Sequence, residues 1–203
     1  IGRLTVTLNG EAAHAGLDPG AGASAILALS LVIQARFALN DFDRGITVNV
    51  GTIEGGLRPN VVAPESTAVI DVRVASQEDA DRVEAAILGL EPAIEGTTLE
   101  IEGHFGRPAM ERTPANRQLW HLACSLGNEL GLQLEEGLAG GGSDGNFTSL
   151  YTATLDGMGA VGDGAHARHE HLQLAPTIER AALLTLLLMS PPLDSVNEQE
   201  TGL

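Results

Sequence analysis

The sequence predicts an α/β protein whose first half is a ferredoxin-like βαββαβ unit. Before residue 104, four short segments alternate apolar and polar residues, and two helical segments separate them in the order β-α-β-β-α-β. After Gly106 the alternation fades and helix signals take over. The second half is therefore read as a separate, strand-poor region.

In the first strand Leu4, Val6 and Leu8 alternate with Thr5 and Thr7. A glycine-rich loop carrying His14 leads into a helix, where Ile26, Leu29, Ile33 and Phe37 fall on one face at three- and four-residue spacing. Ile46, Val48 and Val50 mark the second strand, which runs into the turn Gly55-Gly56-Leu57-Arg58-Pro59-Asn60. Ala68, Ile70, Val72 and Val74 mark the third. Ser76 is placed to cap the second helix, with Asp79 at its third position and Ala80, Val83, Ile87 and Leu90 as its stripe. Leu99 and Ile101 mark the fourth strand. Such a unit packs two helices on one face of an antiparallel sheet.

Thr113-Pro114 then opens a helix with the stripe Leu119, Leu122, Leu126 and Leu130. Short strands are expected at residues 132–134 and 152–155, with a short helix over residues 146–150 between them. A final helix from Pro176 to Met189 is apolar nearly all round, which predicts burial. A strand-poor segment cannot easily bury such a helix alone, so residues 107–190 are expected to be one part of a larger domain whose remainder precedes residue 1. Residues 191–203 read as a polar tail.

The chain has 203 residues, 43% of them hydrophobic and 19% charged, which is a globular composition. Acidic residues outnumber basic ones 27 to 11, a net charge of −16. That balance opposes binding to nucleic acid or an anionic membrane. Cys124 is the only cysteine, so no internal disulfide and no cysteine-based zinc site can form; a reducing, cytoplasmic setting is expected.

Residues 155–172 draw attention because four glycines precede His166, His169 and His171. Glycine permits close backbone approach, and imidazole is the commonest metal ligand. Several letter patterns here mislead. Gly157-Met-Gly159-Ala-Val-Gly162 is not followed by the helix a dinucleotide site requires. His166 to His171 has neither zincin spacing. Ser143 lacks the nucleophile-elbow pattern, and Asn146-Phe-Thr148 is a glycosylation sequon without secretory context. His14, Asn60 and Arg107 are each polar, loop-borne and flanked by residues that shape the backbone; arginine is a natural fork for a carboxylate.

Five motifs occur in one order: Asn9-Gly-Glu-Ala-Ala-His14-Ala-Gly16; Gly55-Gly56…Pro59-Asn60-Val-Val…Asp71-Val-Arg73; Arg107-Pro108; Gly140-Gly-Gly-Ser-Asp144; and Gly164-Ala-His166…Glu170. Through them residues 2–189 resemble the lid and C-terminal part of the zinc aminoacylase and glutamate-carboxypeptidase family of metallopeptidases. The resemblance implies a ferredoxin-like lid/dimerisation domain at 1–106 and the C-terminal segment of an α/β catalytic domain at 107–190. It implies two zinc ions in a complete protein, and a homodimer formed through the lid. The implied reaction is hydrolysis of an amide or peptide bond next to a free carboxylate, by a metal-activated water, in a small peptide or N-acyl amino acid.

Carried onto this sequence, the resemblance makes His166 a metal ligand and His14 a catalytic group that polarises the scissile carbonyl in the partner subunit's site. Asn60 and Arg107 would hold the substrate carboxylate, and Gly141, Gly142 and Ser143 would contact its backbone. The family's His-x-Asp pair does not occur in this sequence, and the one adjacent glutamate pair, Glu135-Glu136, lies elsewhere in the order. His169 and His171 read as exposed loop neighbours. The alternative is that this chain by itself is a dimerisation or binding module that catalyses nothing.

Overall fold

The computed structural model describes residues 1–193; the remainder of the expected tail, 194–203, lies outside the described residues. The chain forms two compact units, residues 1–109 and 110–203.

In the first unit the elements follow the expected order: β1 (Gly2–Asn9), α1 (Ala25–Phe37), β2 (Thr47–Gly55), β3 (Glu65–Arg73), α2 (Gln77–Leu88) and β4 (Thr98–Phe105). The strands form one antiparallel sheet in the order β2-β3-β1-β4. β1 is central, and its side chains repeat every two residues, so Leu4, Val6 and Leu8 all enter the core. Register aligns apolar residues in rows: Leu4 faces Ile70 on β3, and Val6 lies between Ala68 and Ile101. At Gly103 the backbone φ is +116°, and a Cβ there would overlap the Arg3 carbonyl, so only glycine fits where β4 crosses β1.

α1 packs on β1, β2 and β3 through a face that keeps Leu29 and Ile33 of the expected stripe but is rotated away from Ile26 and Phe37. Ala25, Ala28, Leu29, Val32 and Arg36 are buried, whereas Ile26 and Phe37 are about half exposed. The helix is apolar around most of its circumference, so periodicity could not choose a side. Small Ala25 and Ala28 let it approach the sheet closely, and the Ser66 hydroxyl on β3 donates to the Ala25 carbonyl at 2.8 Å. Ser24 caps the helix by accepting from the Leu27 amide.

α2 behaves as its sequence indicates. The Ser76 hydroxyl accepts from the Asp79 amide at 3.1 Å, and Ala80, Val83 and Ile87 are buried. Asp79 is itself buried, with its carboxylate accepting from Arg44 at 2.8 Å and Arg82 at 2.9 Å. It ties the α1–β2 connection to α2.

The second unit holds α3 (Pro114–Glu129), α4 (Gly145–Thr148), a two-residue ladder of β5 (Gly162–Asp163) with β6 (His171–Leu172), and α5 (Leu174–Met189). Thr113 caps α3 and α3 packs on α5. The buried residues of α3 are Asn116, Ala123 and Gly127; Leu119, Leu122 and Leu126 are half-buried and Leu130 is exposed. The expected strands at 132–134 and 152–155 are irregular chain without a ladder. Among the described residues no strand runs beside them, and a lone strand has nowhere to place its backbone hydrogen bonds. The Thr154 amide donates instead to the Asn116 side chain at 2.8 Å.

α5 departs furthest from expectation. Among its residues only Leu183 is fully buried, while Leu188 and Met189 are 79% and 77% exposed. The residues that pack against it leave much of its apolar surface open. No helix among the described residues is long and apolar enough to cross a membrane.

Asp79 sets a pH dependence for the first unit. The Arg82 hydrogen bond holds its carboxyl below the usual carboxylate range, helped by Ser76 and Arg44 and opposed by burial. A folded value below the unfolded one, about 3.9, stabilises the fold fully above about pH 4 and progressively less as pH falls through the folded value. Melting temperature should fall in that acid range. Asp79→Asn should lower it at neutral pH and flatten the acid slope, as thermal melts against pH will read.

Candidate functional site

His14 sits where the β1–β3 pairing continues beyond the sheet. Gly10 donates its amide to the Pro64 carbonyl at 2.7 Å, Val62 donates to Ala13 at 2.9 Å, and Ala15 donates to Asn60 at 3.0 Å. His14 stands opposite Val61, offset by a single residue from the register of β1 on β3. His14 and Asn60, distant in sequence, are thereby held in adjoining segments, and both are exposed. Glu11 pairs with Ala23 on the other side of the loop. Gly10 makes this closure possible, because a Cβ there would overlap the Ala23 carbonyl oxygen.

The His14 ring is fixed locally. Its Nδ1 accepts from the Gly16 amide at 3.1 Å and the Leu17 amide at 3.2 Å, while its carbonyl accepts from Leu17 and Asp18. Among the described residues Nε2 has no hydrogen-bond partner. The ring therefore presents Nε2 outward from an ordered turn.

Arg107 follows β4, and its backbone pairs with Ile1 beside the start of β1. Its side chain is half-buried. Asp71 and Arg73, part of the same motif set, form a two-pronged ion pair on β3 at 2.6 and 3.0 Å. They stabilise the sheet's polar face.

In the second unit the stretch Gly140–Asp144 ends in a hydrogen-bonded knot. The Ser143 hydroxyl donates to Asp156 at 2.6 Å and accepts from the Gly145 amide at 3.0 Å; the Ser143 amide donates to Asn146 Oδ1 at 2.8 Å. Ser143 is therefore a loop-ordering residue with its hydroxyl committed. Gly141 and Gly142 precede it, both exposed. Asp156 was not singled out in the sequence; its only signal is its place directly before the long glycine loop.

That loop runs along α5: Val161 accepts from Gln173 and donates to Thr177, and Gly157 accepts from Arg180. It then delivers His166 at φ 65°, the only non-glycine residue with positive φ among those described. Such backbone is uncommon outside glycine, and it turns an exposed imidazole out of the loop. His169 packs over Gly164 and His171 belongs to β6, so neither projects with it. Among the described residues no three His, Cys, Asp or Glu side chains are grouped to hold a metal ion. A zinc site needs three or four protein ligands, so His166 could supply only one.

Residues 1–90 match the family described as peptidase dimerisation domain, covering β1 to β3, both helices and the His14 loop, but not β4. Across both units the chain is 26% identical to carboxypeptidase G2 of Pseudomonas sp. (strain RS-16), covering 93% of this chain and 47% of that protein. It is 24% identical to protein YqjE of Bacillus subtilis (strain 168), covering 92% and 50%. Aminopeptidase PepT of Bacillus cereus ATCC 10987 shares the fold at a TM-score of 0.79 and 21% identity, over 92% of this chain and 50% of that one. The chain thus spans about half the length of the relatives it matches.

The first unit depends on Gly10 to close its histidine loop. Gly10→Ala should cost about 1–3 kcal/mol, the usual range for forcing an atom into packed structure. Hydrogen exchange should show the Glu11 and Ala23 amides opening before the β1 amides. Equal protection with unchanged stability would disprove this role for the glycine.

Proposed function

We propose that this chain supplies the dimerisation domain and the C-terminal part of the catalytic domain of a zinc-dependent hydrolase. Its substrate is an amide or peptide bond next to a free carboxylate, in a small peptide or an N-acyl amino acid. The observation that carries this reading is the joining of the His14 and Asn60 segments, through the Ala15–Asn60 and Val62–Ala13 backbone hydrogen bonds, within the region that matches a peptidase dimerisation domain.

In this reading Arg107 and Asn60 orient the substrate carboxylate. His14, reaching a second subunit's site, donates a hydrogen bond to the scissile carbonyl as negative charge develops there. Gly141, Gly142 and Ser143 line the substrate's backbone, with Asp156 holding Ser143 in place. When bound, the metal would activate water and polarise the carbonyl. Of its ligands this chain contributes His166, and in this reading the others belong to the rest of the catalytic domain. The open apolar face of α5 is the surface that this remainder covers.

Two copies of the dimerisation domain pair through the outer edge of β2 and the outer face of α1. Among the described residues β2 has no neighbour on that edge, and Ile53, Ile26, Leu27 and Leu57 are exposed. An edge strand meeting its own copy about a two-fold axis satisfies both rows of backbone groups. Leu27→Glu together with Ile53→Glu should yield a folded monomer by light scattering; persistence of the dimer would place the interface elsewhere.

The reaction is tested in protein carrying both halves of the catalytic domain, with N-acyl amino acids and short peptides. His14→Ala should lower kcat about 10²–10³-fold, the range for losing one oxyanion donor. Arg107→Ala should raise KM for carboxylate substrates and leave metal content intact. Loss of metal in Arg107→Ala, or full kcat in His14→Ala, would overturn these roles. A second reading, a dimerisation module with no chemistry of its own, is favoured for the 203-residue chain alone by the absence of a ligand cluster among its described residues. Tight zinc binding with turnover by this chain would end it.

A further inference from the structure

We propose that the backbone amides of Gly16 and Leu17 are positioning groups that lock His14 in its Nε2–H tautomer, so that the loop presents a hydrogen-bond donor. What that donor meets rests on the function proposed above, whereas the tautomer rests on the loop itself.

A backbone N–H can only donate. Nδ1 of His14 receives two such donors, from Gly16 at 3.1 Å and Leu17 at 3.2 Å, so it must carry the lone pair. A neutral imidazole has one proton, which then resides on Nε2. Turning the ring over would set a C–H against both amides and leave them without an acceptor, so the hydrogen bonds fix the ring's orientation as well. The amides are aimed by the turn they belong to, since the His14 carbonyl accepts from Leu17 at 3.2 Å and Asp18 at 3.1 Å. On either side of His14, Ala13 and Ala15 are pinned to Val62 and Asn60. Ring, turn and strand pairing form one unit.

The same chain holds a histidine of opposite kind. Nδ1 of His171 lies 3.1 Å from the His169 carbonyl, which can only accept, so Nδ1 of His171 carries the proton and its Nε2 the lone pair. His14 is thus set to donate through the nitrogen with which His171 would accept. The assignment gives His14 the part of a carbonyl-polarising donor and denies it that of a general base, because its outward nitrogen has no lone pair to offer.

Nitrogen-15 NMR of the uniformly labelled 203-residue chain, at a pH well above imidazole titration, reads the tautomers directly. Two amide hydrogen bonds of ordinary strength should bias His14 toward Nε2–H by about 30-fold. His171 should show the reverse pattern in the same spectrum. Gly16→Pro and Leu17→Pro each delete one donor, and the bias should drop to about fivefold, with a proton appearing on Nδ1. Should a proline variant fail to fold, the unmodified chain still decides the matter. A His14 ring protonated at Nδ1, or mixed to the same extent as a free imidazole, overturns the proposal, as does an unchanged bias in folded proline variants. If the tautomer is as stated and His14→Ala leaves hydrolysis intact, it is the proposed function that fails, not the lock.

Discussion

The pairing of β1 with β3 is the interaction on which the first unit depends. β1 is bonded on both sides and contributes three fully buried side chains, so its register fixes which residues of β3 and β4 share the core. A slip of one residue would turn Leu4, Val6 and Leu8 to the polar face, which makes the register strongly determined. Beyond Asn9 the two segments stay together, and the single-residue offset near Gly10 sets His14 against Val61 with Asn60 bonded to Ala15. The position of the histidine is thus a consequence of core packing some five residues away, carried along a hydrogen-bonded ladder.

The two units differ in how far they satisfy their own apolar surface. The first unit has a continuous core drawn from all four strands and both helices. Several of its exposed apolar residues, among them Ile26, Leu27 and Ile53, lie on the outside of α1 and on β2. The second unit buries one residue of α5 completely and leaves stretches of irregular chain without strand partners. Its order comes largely from side-chain clamps: Asn116 holding Glu111 and Thr154, Ser143 bonded to Asp156, and Thr177 and Arg180 holding the glycine loop. Such polar clamps fix loop geometry where a dry core is thin.

The candidate site residues are legible in the sequence because they sit among glycines and prolines that only a shaped backbone requires. His14, Asn60, Arg107 and His166 stood out for that reason, as did the Gly141-Gly142-Ser143 stretch. What could not be read was how each is held. The two amides on Nδ1 of His14 and the Asp156 partner of Ser143 arise from local folding of residues with no distinguishing pattern. The positive φ of His166 has no signal in its own letter; only the glycines before it hint at an unusual path.

The amino-acid sequence by itself determined the six elements of the first unit, because period-two and helical patterns, caps and turns all act over a few residues. Ser76 with Asp79 is the clearest case, since a helix start is written within one turn. Tertiary structure decided what those short-range rules leave open. It chose the alanine face of α1, since a helix apolar all round is oriented only by what it packs against. It left residues 132–134 and 152–155 unpaired and α5 largely open, since a strand needs a neighbour and burial needs a second surface, and neither is a property of the segment alone.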